Sequence, residues 1–331
     1  MSPDSEQAPR GGIDLGGTKI QTVVVDPDNN VLGESRRPTP ATGGPEDVAR
    51  EIAAAMREAA GQAGLGTRDL GGVGIGSPGD ADEKTGVVSD ARNLPDWTGS
   101  FPLGEQLSDQ LGVPVQVGND VQVAVQGEFE LGAGKPYKTV LGVWWGTGVG
   151  GGLILDGKPW IGRGAAGEIG HVVVKRGGAR CTCGRRGCME AYAGRLAMEI
   201  KARKEVKKGA KTDLFRIMEE HGRDRLTSGI WERALKHGDD MATTLIDRAV
   251  KMLGVGIASS VNLLDPEAVI IGGGLGQRLG DKYVGRIATR MHPHLFVSDR
   301  PPHMHVTALG DLGGAIGAAL LADARVPTAA A

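Results

Sequence analysis

The strongest constraint on the fold is a pattern written twice. Residues 11–14 form an apolar strand that runs into Leu15-Gly16-Gly17-Thr18-Lys19 and returns over 21–25, and residues 139–145 run into Gly146-Thr147-Gly148-Val149-Gly150-Gly151-Gly152 and return over 153–155. Glycines in such turns let the backbone approach a polyanion closely and leave its N–H groups pointing at the ligand. A strand, a glycine turn carrying a hydroxyl and a return strand in both halves read as a degenerate internal duplication.

The elements around the repeats fit an α/β class. In the first half the chain reads as a meander, with a third strand over 31–37 after the turn Asp26-Pro27-Asp28-Asn29-Asn30. A helix opens at Pro45 with Val48, Ile52, Ala55, Met56 and Ala59 at helical spacing, and short strands follow over 73–76 and 113–117. A helix is expected over 121–130. That order argues for a mixed sheet flanked by helices. In the second half helices dominate over 191–264, the last capped near Asp239, then a buried strand over 267–271 ends in Gly272-Gly273-Gly274 and a Gly/Ala-rich helix covers 312–322. The tail from Arg325 onward is expected to be loose.

Composition narrows the partners. A net charge of −2 over 331 residues gives no long-range field for nucleic acid or an anionic membrane, and no apolar run approaches the roughly 20 residues a membrane helix needs. The first ten residues are polar rather than signal-like, so a cytoplasmic protein is expected. Fifty-five glycines beside four phenylalanines and three tyrosines imply tight turns and close backbone approaches in place of aromatic packing.

Three segments carry chemistry. Asp14 followed by Gly16, Gly17, Thr18 and Lys19 brings a carboxylate, open backbone, a hydroxyl and an ammonium together, parts that suit a nucleotide phosphate and its metal. Gly146-x-Gly148-x-x-Gly151 matches the dinucleotide fingerprint, but a helix must follow that fingerprint and an apolar strand is expected here, so we set the nicotinamide reading aside. All three cysteines, Cys181, Cys183 and Cys188, lie within eight residues, an odd number for disulfides; with His171 they make a closed tetrahedral set suited to structural zinc. Asp120 ends a strand and precedes a helix, where it serves as an N-cap, as a site residue, or as both. The pairs His292/His294 and His303/His305 read as solvated loop residues, and the basic run from Lys201 to Lys211 as a solvated helical face.

Taken together, DLGGTK (14–19), GND (118–120), GTGVGGG (146–152), GEIGH (167–171), CTCGRRGCME (181–190) and IIGGGLG (270–276) resemble the ROK family of sugar kinases and sugar-responsive repressors. The resemblance runs from about residue 11 to 322 and implies an actin-like ATPase (ribonuclease H-like) fold. Two α/β lobes would flank a cleft, a small one from 1–120 plus 310–331 and a large one from 121–309 that carries the zinc loop. It implies that ATP's phosphates lie against Asp14, Gly16, Gly17, Thr18, Lys19, Gly146, Thr147 and Gly148, with Asp14 organising Mg2+ and Gly272, Gly273 and Gly274 packing against the adenosine. Asp120 matches the general base, and Asn93, Asn119, Glu168, His171 and Glu190 match sugar-binding positions.

The implied activity is ATP-dependent phosphorylation of a hexose 6-hydroxyl, with glucose the first choice and N-acetylglucosamine, N-acetylmannosamine or fructose the alternatives. Polyphosphate is an alternative donor. Family repressors carry a helix-turn-helix before this body; thirteen residues precede Asp14, so a kinase is expected rather than a sugar sensor. A homodimer or homotetramer is usual in the family.

Overall fold

The computed structural model describes residues 8–91 and 93–322. The chain divides into two compact units, the first drawn from Met1–Lys135, Ile161–Gly164 and Ala308–Ala331 and the second from Pro136–Trp160 and Ala165–Thr307.

In the first unit β1 (Arg10–Leu15), β2 (Lys19–Val25) and β3 (Val31–Pro38) make the expected meander, and α1 (Pro45–Gln62) buries the apolar stripe its spacing foretells. β4 (Val73–Ser77) is followed by β5 (Asp80–Asp82), β6 (Val87–Ser89) and β7 (Ser100–Phe101), a small separate sheet. Strands of two or three residues are too short to show alternation, which is why the sequence reading passes over them. Next come α2 (Leu103–Leu111), β8 (Val115–Asn119) and α3 (Asp120–Leu131). The main sheet runs β3-β2-β1-β4-β8, with β1, β4 and β8 mutually parallel. Ile13, Leu15, Ile52, Met56, Ile75 and Leu107 fill its core on the α1 side.

The second unit repeats that plan. β9 (Val140–Trp145), β10 (Val149–Leu155) and β11 (Lys158–Pro159) form the meander. Helices α4 (Glu190–Ala193), α5 (Arg195–Val206), α6 (Leu214–Glu220), α7 (Ser228–Lys236) and α8 (Asp240–Leu264) intervene before β12 (Ala268–Gly272), α9 (Gly273–Met291) and β13 (His303–Val306). The sheet order is β11-β10-β9-β12-β13, with β9, β12 and β13 parallel, so the duplication read from the two glycine turns is present in the topology. Asp239 caps α8 as expected, accepting the N–H of Ala242 at 2.7 Å.

The last helix, α10 (Gly313–Leu321), belongs to the first unit. It lies so close to the sheet that a Cβ on Gly12 would sit 2.0 Å from the carbonyl of Ala315, and one on Gly74 1.8 Å from that of Ala318. Helix α3 meets α10 the same way, since a Cβ on Gly127 would be 2.8 Å from the Cα of Gly317. This packing ties α3 to the first unit, whereas the sequence reading ended the first lobe at 120.

Two local expectations change. The glycine run 146–152 is a short turn only at Gly146-Thr147-Gly148; Val149 already pairs with Trp145, and Gly150–152 face 144–142 in the ladder. Those strand glycines admit a neighbour, because a Cβ on Gly151 would lie 2.6 Å from the carbonyl of Gly167. His303 and His305 stand on β13 rather than in a loop, and His305 Nε2 is 2.7 Å from the Tyr137 hydroxyl. The tail from Arg325, like Arg92 beside Asn93, lies outside the described residues.

Candidate active site

The first unit collects one set of candidate groups at the carboxyl edge of its sheet. The turn between β1 and β2 is closed by the Gly16 N–H donating to the Lys19 carbonyl at 2.9 Å, and the Thr39 hydroxyl holds the Gly16 carbonyl at 2.6 Å. Asn93 backs this turn, since a Cβ on Gly17 would come within 2.7 Å of its carbonyl. Thr18 is exposed at the tip. Asp14 is hemmed in by the backbone of Gly314, where a Cβ would fall 2.9 Å from its carboxyl carbon. Desolvation pushes the Asp14 carboxyl above its ordinary pKa, and the Lys19 ammonium pulls it partly back. A carboxylate short of compensating partners is a good ligand for a hard cation.

Register fixes where Asp120 stands. Asp14 pairs with Gly76 in β4, and Gly76 pairs with Gly118 in β8. Two strand spacings therefore separate the Asp14 and Gly118 backbones, about 10 Å, and Asp120 follows at the same edge. Gly76 leaves the room, as a Cβ there would lie 3.1 Å from the Asp120 Cα. The capping role falls to Asn119, not Asp120: its Oδ1 accepts the N–H groups of Val121 at 3.1 Å and Gln122 at 3.2 Å. Asp120 is the first helical residue, its Oδ1 accepting from the Val121 N–H at 2.9 Å. Capping thus occupies the Asn119 oxygen and locks the entry of α3 that carries Asp120.

The second unit holds the remaining groups. Gly146-Thr147-Gly148 faces the knuckle through Glu190, whose Oε2 accepts the Val149 N–H at 3.0 Å while Oε1 accepts the Thr182 hydroxyl at 3.1 Å. A Cβ on Gly148 would meet Glu190 Oε2 at 2.3 Å. Glu190, the first residue of α4, is therefore held from two sides as well as standing in a first helical turn. Gly272, Gly273 and Gly274 link β12 to α9; Gly273 takes a φ of 76° against the Trp145 backbone. Helix N–H groups at this end are oriented to receive negative charge.

The four candidate metal ligands converge. The ligating atoms of His171, Cys181, Cys183 and Cys188 all lie within 4.8 Å of one another, with His171 Nδ1 3.7 Å from Cys181 Sγ and Cys183 Sγ 3.7 Å from Cys188 Sγ. Thiolates about 2.3 Å from a shared tetrahedral zinc sit about 3.8 Å apart, so the donor set fits Zn2+ and is far too open for a disulfide. A backbone N–H donated from Arg185 lowers Cys183 to about 6, and burial pushes Cys188 up to about 12. With Nδ1 turned to the thiols, His171 Nε2 lies 3.8 Å from Glu168 Oε2, and Glu168 is exposed.

Two neighbours of these residues were not singled out by sequence. Arg195 and Ser228 lie against Thr147 and Gly274 respectively. No periodicity marks either, because each is placed by the chain reversal after Glu190 and by the start of α7.

Comparison with known proteins identifies the class. The ROK family model matches residues 10–325, and the chain belongs to the ROK family. It is 33% identical over 317 residues to a glucokinase of Thermotoga maritima, covering 95% of this chain and 97% of that protein. It is also 31% identical over 321 residues to an N-acetyl-D-glucosamine kinase of Pectobacterium atrosepticum, covering 94% and 97%. A ROK family glucokinase from Streptomyces griseus, solved in complex with glucose and AMPPNP, superposes with a TM-score of 0.80 at 32% identity, covering 96% of this chain and all of that one at 100%. The fold is that of the actin-like ATPases. Among the described residues no helix is long and apolar enough to cross a membrane.

Proposed function

We propose that this protein is an ATP-dependent hexose kinase that phosphorylates the 6-hydroxyl of glucose, with Asp120 as general base. The observation that carries this reading is the pair of carboxylates on one sheet edge, Asp14 beside a glycine-hydroxyl-lysine turn and Asp120 at the start of α3. Family membership and the glucokinase relatives support the sugar and the donor.

Phosphoryl transfer through a loose transition state asks for positioning and charge neutralisation more than covalent help. Gly16, Gly17, Thr18 and Lys19 receive phosphate oxygens in the first unit, and Gly146, Thr147 and Gly148 do so in the second, with Gly272–274 against the adenosine. Asp14 would hold Mg2+, which neutralises phosphate charge when bound. Asp120 accepts the hydroxyl proton as the new P–O bond forms and the γ-phosphorus breaks from the bridging oxygen of ATP, which leaves as ADP. Asn93, the Asn119 amide, Glu168, His171 and Glu190 hold the sugar's other hydroxyls; a sugar lacking one of those donors leaves an acceptor it covers unpaired, at about 1–3 kcal/mol. His171, Cys181, Cys183 and Cys188 would hold a structural Zn2+ that fixes the loop. Ligation through Nδ1 leaves His171 presenting Nε2–H beside Glu168.

The test is magnesium-dependent ADP release from ATP against glucose, N-acetylglucosamine, N-acetylmannosamine, mannose and fructose, with polyphosphate as an alternative donor. Glucose should give the highest kcat/KM. Turnover confined to N-acetylglucosamine would overturn the glucose assignment, and none with any sugar would overturn the kinase reading.

A further inference from the structure

Arg195 is a partly buried cation of the second unit whose side-chain hydrogen bonds go to neutral hydroxyls. It begins α5 immediately after Gly194, and the chain there is sewn to the glycine turn: the Arg195 N–H donates to the Gly146 carbonyl at 3.1 Å and the Leu196 N–H to the Thr147 carbonyl at 3.0 Å. The side chain returns to the same turn. Its Nη2 donates to the Thr147 hydroxyl at 2.8 Å and its Nη1 to the Ser228 hydroxyl at 3.1 Å. Ser228 in turn abuts Gly274, where a Cβ would lie 2.9 Å from its Oγ.

Both acceptors are neutral. Arginine offers five N–H donors and a fixed charge, and a half-buried guanidinium ordinarily finds a carboxylate. Among the described residues none lies within ion-pair distance of this one. The nearest acid to reach it electrostatically, Glu199, is committed elsewhere: it accepts from Arg203 at 2.8 and 3.0 Å, from Arg225 at 3.3 Å and from the Leu226 N–H at 3.0 Å. Burial and the Arg225 charge both press the Arg195 guanidinium toward neutrality, so the fold holds it at a cost. A desolvated cation pinned between Thr147 and the serine against Gly274 is complementary to an anion arriving at that turn.

We infer that Arg195, steadied by Thr147 and Ser228, is a phosphate-binding residue that receives the phosphate chain of the nucleotide and couples the Gly146–148 turn to the Gly272–274 turn. This deepens the kinase reading and rests on it, but it is a statement about binding and is tested by binding. Calorimetric titration of the full-length protein with ADP and with adenosine separates a phosphate contact from a general loosening of the site. In Arg195→Met, ADP affinity should fall about 10- to 100-fold, the loss of one charge-assisted contact, while adenosine affinity stays within about twofold. Arg195→Lys should restore part of the ADP affinity, since it returns the charge without the planar fork. Ser228→Ala should weaken ADP less than Arg195→Met.

An equal loss for adenosine and ADP would make Arg195 a structural residue and overturn the inference. ADP binding unchanged in Arg195→Met, with the thermal midpoint retained, would overturn it as well while leaving the kinase reading intact. A wild-type protein that binds neither ATP nor ADP would overturn both.

Discussion

The two glycine turns occupy equivalent places in two sheets of the same order, yet they are built differently. Both are closed by a bond across the turn, Gly16 to Lys19 and Gly146 to Gly148, but the first has its carboxylate, Asp14, in the strand that leads into it. The second has no acid of its own. It borrows Glu190 from the end of the knuckle and Arg195 from α5, both brought by a segment inserted after β11 that has no counterpart in the first unit. Duplicated topology therefore supplies the turn, and the elements inserted between strands supply its chemistry. A cysteine-rich loop and five helices in one copy, against α1 alone in the same place in the other, let the copies specialise without altering the sheets.

The sharpest way to break this comparison is to remove the base proposed for the first unit. Asp120→Ala should lower kcat about 1,000-fold, the scale of a lost general base, with glucose affinity by calorimetry nearly unchanged; normal turnover would strip Asp120 of its role. Next in size is Cys183→Ala, which opens the ligand set on the second side only. We expect bound zinc to disappear and kcat/KM for glucose to fall about 10- to 100-fold, read by metal analysis beside kinetics, and full zinc content would remove the knuckle assignment.

The two turns can then be compared directly by alanine. Gly148→Ala drives a methyl into Glu190 Oε2, whereas Gly16→Ala meets only the Lys19 carbonyl at 3.2 Å. The first substitution should cost about 1–3 kcal/mol in the unfolding free energy and the second less; the reverse order in denaturant titration would mean that Glu190 swings aside freely.

The smallest effect is the pH dependence of the nucleotide-free first unit. Because burial raises Asp14, the folded chain binds more protons than the unfolded one between the ordinary carboxyl pKa of 3.8 and the raised folded value. Its contribution to stability thus falls as pH rises through that window. Asp14→Asn should remove that loss and raise the thermal midpoint slightly at neutral pH. An unchanged or lower midpoint would show that Asp14 is not a strained ion.

Much of this was legible in the chain because the informative residues are local. Three cysteines in eight residues define a ligand set wherever the loop goes, and α1 writes its buried face at helical spacing. What stayed hidden depends on reversal and approach. Asn119 rather than Asp120 caps α3 because the helix begins at Asp120, one residue earlier than the sequence suggests, a matter of dihedral angles. Glycines 150–152 look like loop in sequence and are strand in space, since their lack of side chains makes room for the segment at Gly167. Arg195 carries no pattern at all; only the geometry shows that its guanidinium is held by two neutral hydroxyls.

The seat of α10 on Gly12 and Gly74 bears on how the protein is made. The N-terminal sheet takes its covering helix from residues 313–321, after the whole of the second unit has been synthesised. Strands β1 and β4 must then wait on the ribosome with one glycine-lined face open, while the second unit, complete in the chain by Thr307, is free to fold ahead of them. The loop closed by that final docking spans roughly the full chain, so its entropy is met last, by a contact of backbone on backbone that tolerates no added methyl. The first sheet to be synthesised is thus the one whose cover comes from nearly the last helix of the chain.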